Sequence, residues 1–120
     1  MFKRTFAVLV ATFALYGCGD TPQEVTDAKD RIFNGYYDAN IHENTHCKAE
    51  QFNVDWVILC KSISGSNNQG IYEVKVLDPG RYVIYAVNGT AKTHAGRMGL
   101  HIEFNRESSV DIEEVKKSLG

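Results

Sequence analysis

Residues 71–87 read IYEVKVLDPGRYVIYAV, and this stretch decides the fold class. Tyr72, Val74 and Val76 alternate with Glu73 and Lys75, the two-residue period of a β-strand. Asp78-Pro79-Gly80 interrupts the run. Proline supplies a restricted φ and glycine tolerates a positive one, so a tight turn is expected there. The chain then returns as Arg81–Val87, with Tyr82, Ile84 and Ala86 on one face and Val83, Tyr85 and Val87 on the other. Both faces of this antiparallel pair carry apolar side chains. One face therefore forms the core with a helix, and the other is partly covered as well.

Outward from this hairpin, the upstream segment gives two more strands. Cys47–Gln51 is a short one. Val54–Ile63 is longer, with Val54, Trp56, Ile58 and Cys60 alternating with Asp55, Val57, Leu59 and Lys61, so both of its faces are partly apolar. It reads as a central strand with Trp56 facing the core beside Cys60. Ser62–Gly70, SISGSNNQG, is a loop by composition, and residues 38–46, DANIHENTH, are mostly loop. Downstream, Asn88-Gly89 is a strong hairpin signal, and Thr90–His94 is expected to begin a further strand. Ala95–Gly99 reads as a flexible or tightly turned segment, and Leu100, Ile102 and Phe104 alternate as a last short strand.

Helices bracket the strands. Thr21-Pro22-Gln23-Glu24 has the features of a capping box, with Thr21 as N-cap, Pro22 at the first helical position and Glu24 closing the box. Val25, Ala28, Ile32, Phe33 and Tyr36 follow at helical spacing, with Asp27 and Arg31 four apart on the polar side. Asn34-Gly35 is a natural stop, although Tyr36 and Tyr37 can carry the helix past it. At the other end, Ser108–Leu119 forms a helix capped by Ser108 or Asp111, with Ile112, Val115 and Leu119 as its apolar stripe. The fold class is α+β: an N-terminal helix, an antiparallel sheet of about four to five short strands, and a C-terminal helix.

The first twenty residues, MFKRTFAVLVATFALYGCGD, are of a different kind. Lys3 and Arg4 precede an almost unbroken apolar run from Thr5 to Gly17, the order of a secretory signal. At about 1.5 Å per residue the run spans about 20 Å, against a bilayer core about 30 Å thick, so a permanent membrane helix is the weaker reading. Its end, Leu15-Tyr16-Gly17-Cys18, resembles the lipobox of bacterial lipoprotein precursors: an aliphatic residue, a small residue and then cysteine. Tyr16 is bulkier than the usual occupant of its position. The resemblance covers residues 1–20 alone. It implies a signal peptide over 1–17, cleavage before Cys18, acylation of that residue with chains such as palmitate, and a tether over 18–20. The domain then occupies 21–120. It further implies a cell-envelope location, lipid-anchored and facing the periplasm from the outer membrane. An ordinary signal that happens to contain a cysteine is the alternative.

With Cys18 assigned to lipid, Cys47 and Cys60 remain as an even pair in an exported chain, which favours a disulfide. A hairpin joining their strands places them opposite each other. The 13 Lys and Arg lose Lys3 and Arg4 with the signal, leaving 11 against 15 Asp and Glu, a net charge of −4. No basic run tracks a phosphate backbone, so nucleic acid is not an expected partner. Membrane attachment therefore rests on acylated Cys18.

Catalytic and metal-binding patterns are weak. His42, His46 and Cys47 are the one local cluster with ligand-like spacing, with His94 and His101 as candidates to join it in space, but no HExxH or paired CxxC is present. The serines at 62, 64, 66, 108 and 109 lack a GxSxG elbow. No phosphate loop is found, and no cofactor is expected. The expectation is a non-catalytic envelope protein that binds or supports another envelope protein. A module for a small envelope ligand or cell-wall fragment is the second reading. Tyr72, Tyr82 and Tyr85 are the candidate binding surface, with ordinary strand packing as the plain alternative.

Overall fold

The computed structural model describes residues 21–63, 68–104 and 108–120. The expected signal segment, Cys18, its expected tether and the Ser64-Gly65-Ser66 loop lie outside the described residues. The elements are α1 (Gln23–Asp38), β1 (Thr45–Phe52), β2 (Asp55–Ser62), β3 (Gly70–Asp78), β4 (Arg81–Ala86), α2 (Gly89–Met98), β5 (Glu103–Phe104) and α3 (Ile112–Leu119). The five strands form one sheet in the order β1-β2-β3-β4-β5. The first three pairings are antiparallel, whereas β4 and β5 are parallel. The α+β expectation holds, with a mixed rather than wholly antiparallel sheet.

Both faces of the sheet are buried, as the central strands require. Ile58, Cys60, Tyr72, Val74, Ile84 and Ala86 pack on one side against Val25, Ala28, Ile32 and Tyr36 of α1 and Ala91 of α2. On the other side Val57, Leu59 and Ile71 pack against Val115 and Leu119 of α3. Each fully buried aliphatic side chain contributes roughly 1.5–3 kcal/mol. Trp56 is half-buried on the α1 side, in line with Ile58 and Cys60. Glu73, read from its alternation as a polar position, is instead buried on the α3 side. There it accepts a hydrogen bond from Ser108 Oγ at 3.0 Å and pairs with Lys75 at 3.4 Å.

The ends of α1 differ from expectation. No side chain caps its start; Pro22 stands at the cap position, and its carbonyl accepts from Val25 and Thr26. Glu24 does not close a box but accepts the Gly80 N–H at 2.7 Å, tying the helix start to the β3–β4 turn. Asn34-Gly35 does not stop the helix. Gly35 is buried because α2 approaches closely there, and a Cβ on it would stand 2.7 Å from Met98 Sδ. The stop is five residues later. Asn40 takes a φ of 53°, Asn40 N–H donates to Tyr37 O, and Ile41 N–H donates to Tyr36 O, the paired bonds of a Schellman motif.

The largest correction concerns Asn88-Gly89, which starts a helix instead of turning a hairpin. Asn88 has extended φ and ψ of −115° and 172°, and its Oδ1 accepts from Ala91 N–H at 2.9 Å. The same oxygen accepts from Ile71 N–H at 3.2 Å, while Nδ2 donates to Gln69 O at 2.9 Å. One side chain thus caps α2 and fastens the start of β3. Thr90–His94 and Ala95–Met98 are therefore helix, closed by Gly99 with φ 73°. This helix is the crossover that lets β5 run parallel to β4. Asp111, one of the two expected caps, accepts from Glu113 and Glu114 N–H at the start of α3.

Cys47 and Cys60 are bonded, with Cα atoms 4.1 Å apart at directly opposed positions of β1 and β2. Breaking this link by Cys47→Ser with Cys60→Ser is expected to cost about 3 kcal/mol, the closure entropy that a loop of this modest length removes from the unfolded chain. The check is the urea midpoint of the double variant against the oxidised protein. An unchanged midpoint would refute the structural role.

Candidate functional site

The strand directions sort the molecule into two ends. At one end lie the start of α1, the β1–β2 turn and the β3–β4 turn. At the other lie the end of α1, the segment before β1 and the start of α2, and there the polar side chains converge.

Tyr36 is delivered by the last buried turn of α1, Tyr72 by β3 and His94 by α2. The Tyr36 hydroxyl lies 2.7 Å from Tyr72 Oη and 2.7 Å from His94 Nδ1. One consistent assignment has Tyr72 donate to Tyr36 and Tyr36 donate to His94. His42 stacks on the Tyr36 ring at 5.4 Å and meets the His94 ring edge-on at 5.4 Å. Its Nε2 is buried without a hydrogen-bond partner among the described residues. The space for the two hydroxyls comes from Gly70, because a Cβ there would overlap Tyr36 Oη and crowd Tyr72.

Burial sets the charge of this cluster. It pushes the Tyr36 hydroxyl up to about 12, and it raises Tyr72 further, with Tyr36 itself the second cause. Burial, then the neighbouring His42 and Arg97, holds His94 down at about 4. His42 is lowered by burial and by Arg97. All four groups are thus neutral near pH 7, which suits a shared buried network and supplies neither a phenolate nor an imidazolium. His94 reaches the surface at an open cleft of about 530 Å³, lined also by Asn68, Thr90, Thr93 and Arg97.

The remaining candidates are dispersed. His46 is exposed on β1, Cys47 is in the disulfide, and His101 lies 3.3 Å from Glu103 at the surface. No group of three or more His, Cys, Asp or Glu among the described residues is placed to hold a metal ion. The three tyrosines do not share a surface. Tyr72 is in the core. Tyr82 is half-buried on the α1 side, donating to Asp27 with Arg31 over its ring, and it lines an open groove of about 410 Å³. Tyr85 is half-buried on the opposite face, across from Glu73.

A feature the residue patterns did not single out is the free edge of the sheet. No described strand lies beyond β1. The short Cα separation at Cys47–Cys60 marks a non-hydrogen-bonded pair, and Ile63 N–H donating to Asn44 O at 2.8 Å fixes the alternate series as the bonded one. The N–H and C=O groups of Thr45, Cys47, Ala49 and Gln51 consequently point away from β2. Lys48 and Glu50 stand exposed beside them. Comparison with protein-family models, curated proteins and solved structures finds no match.

The His94 shift has a signed consequence. Between about 6.5, the ordinary histidine value, and about 4 the unfolded chain takes up a proton that the folded one refuses. Stability is therefore complete above that window and falls as pH drops through it, by on the order of 2 kcal/mol from this group. Urea unfolding from pH 7 to pH 4 should show a shallower acid loss for His94→Asn than for the parent. Equal slopes would refute it.

Proposed function

We propose that this chain is a non-catalytic, lipid-anchored protein of a bacterial cell envelope that binds or supports another envelope protein, as an accessory, adaptor or inhibitor. The observation that carries the protein-binding reading is the open edge of β1, eight residues long. An extended segment of a partner would add to it as a further strand, taking main-chain bonds from Cys47, Ala49 and Gln51. Lys48 and Glu50 discourage indiscriminate pairing along this edge and favour a partner with complementary charges. The anchor reading is supported by the Leu15–Cys18 pattern that follows a signal-like segment.

A small-ligand module is favoured by a separate observation, the cleft at which His94, Arg97, Thr90 and Thr93 meet. It is open rather than enclosed, and no large aliphatic side chain lines it. A deep apolar pocket would suit a small ligand better, so this reading stands second.

Two measurements test the proposal. A photo-crosslinker at Gln51, used in intact cells, should give a discrete adduct that Ala49→Pro abolishes. That substitution removes an outward N–H without breaking a β1–β2 bond, so thermal stability should fall by no more than about 1 kcal/mol. An adduct indifferent to Ala49→Pro would refute strand addition. For the anchor, mass spectrometry of the membrane form should find an acylated amino-terminal Cys18, and an unmodified terminus elsewhere would refute it.

A further inference from the structure

The end of the molecule opposite the His94 cleft carries exposed aliphatic side chains at two hairpin tips, with the half-buried start of α1 beside them. Pro22 opens α1, Val54 sits in the β1–β2 turn, and Val76 and Leu77 lead into the β3–β4 turn. Val54 is 85% exposed, Leu77 52% and Val76 42%. With Trp56 and Pro22 they line an open groove of about 450 Å³. The Glu24–Gly80 bond holds the helix start against the β3–β4 turn, so the tips are fixed relative to one another.

The chain places an anchor beside this patch. Cys18 precedes Pro22 by four residues, a span of at most about 14 Å when fully extended. A lipid on Cys18 therefore keeps the groove within that distance of the bilayer surface. We infer that Val54, Val76, Leu77 and Pro22 form a membrane-docking face that rests in the headgroup–acyl boundary of the bilayer, which rests on the reading of Cys18 as the lipidated residue. Charge does not drive the contact. Lys75 and Arg81 near the groove are each paired with a carboxylate, Lys75 with Glu73 at 3.4 Å and Arg81 with Asp78 at 2.5 Å. Docking is then apolar, insensitive to salt and to anionic lipid.

Trp56 is the one tryptophan of the chain and lines the groove, which makes it the probe. The acylated full-length mature protein is reconstituted into phosphatidylcholine vesicles carrying bromine on the acyl chains near the headgroups. Trp56 fluorescence should be lost relative to unbrominated vesicles, at low and high salt alike. A dye at Gly120 should stay unquenched, since Lys61 Nζ donates to the Gly120 carbonyl at the opposite end of the molecule. Val54→Asp with Leu77→Asp should float with the vesicles yet retain Trp56 fluorescence. Parent protein that floats with unquenched Trp56 overturns the docking face while leaving the anchor standing, whether the patch is then bare or covered by a second copy. Protein that does not float overturns the anchor, and the docking face with it. Because the parent measurement needs no substitution, misfolding of the double variant would not blur the result.

Discussion

Two-sided burial of the central strands is the constraint on which the rest of the structure depends. Ile58 and Cys60 face one way along β2, Val57 and Leu59 the other, and none of the four has appreciable contact with water. A sheet of this kind is stable only with a layer on each side. The chain is short, so the layers are thin: α1 and α2 cover one face, and the eight-residue α3 covers part of the other. The disulfide reinforces the outermost antiparallel pair, where β1 has a neighbour on one side only and carries no fully buried residue.

What could be read from the residues follows from the range of the forces involved. The β3–β4 hairpin, the central position of β2, the Cys47–Cys60 link and the stripes of α1 and α3 depend on short-period patterns and were legible. The failures occurred where a local signal was captured by a distant partner. Asn88-Gly89 has the chemistry of a tight turn, but the Asn88 amide is engaged by Gln69 and Ile71 across the sheet and caps α2 instead. Glu24 had a capping role available and was taken by Gly80. Gly35 looked like a stop and proved to be a point of close helix approach. In α2 the apolar stripe is little more than Ala91 and Met98, too thin to declare a helix against the pull of Gly89 and Gly96.

The candidate site was legible only in part for the same reason. His42 and His94 stand out in the sequence as donors, yet the spacing of Tyr36 marks it only as one more apolar residue of α1. Its hydroxyl is the centre of the cluster, and only the Schellman ending of α1, the closeness of α2 and the missing side chain of Gly70 bring it there. Four aromatic rings with polar atoms, neutral near pH 7, form a polar plug at that end of the core, with Tyr72, Tyr36 and His94 joined by hydrogen bonds and His42 packed on them through its ring. Such a network favours one arrangement of α1, α2 and β3 over its neighbours, because any shift strands a buried hydroxyl. The open edge of β1 left no mark on residue patterns at all, since it is a property of strand order.

The two surfaces that remain unused by the core are separated by the geometry of the sheet. The strands run between an end with exposed aliphatic tips and an end with a polar plug and cleft, and β1 flanks the molecule along its length. If the aliphatic end faces a bilayer, the strands stand up from the surface and the free edge of β1 is presented sideways. A partner that adds a strand there would itself run roughly along the membrane normal, within about 26 Å of the surface, the length of an eight-residue strand at about 3.3 Å per residue. That geometry favours a partner with an extended segment rising from the same membrane over one docked flat upon it. If Cys18 carries the lipid, its short spacing to Pro22 enforces this selection, because a longer tether would free the edge to meet partners in any orientation.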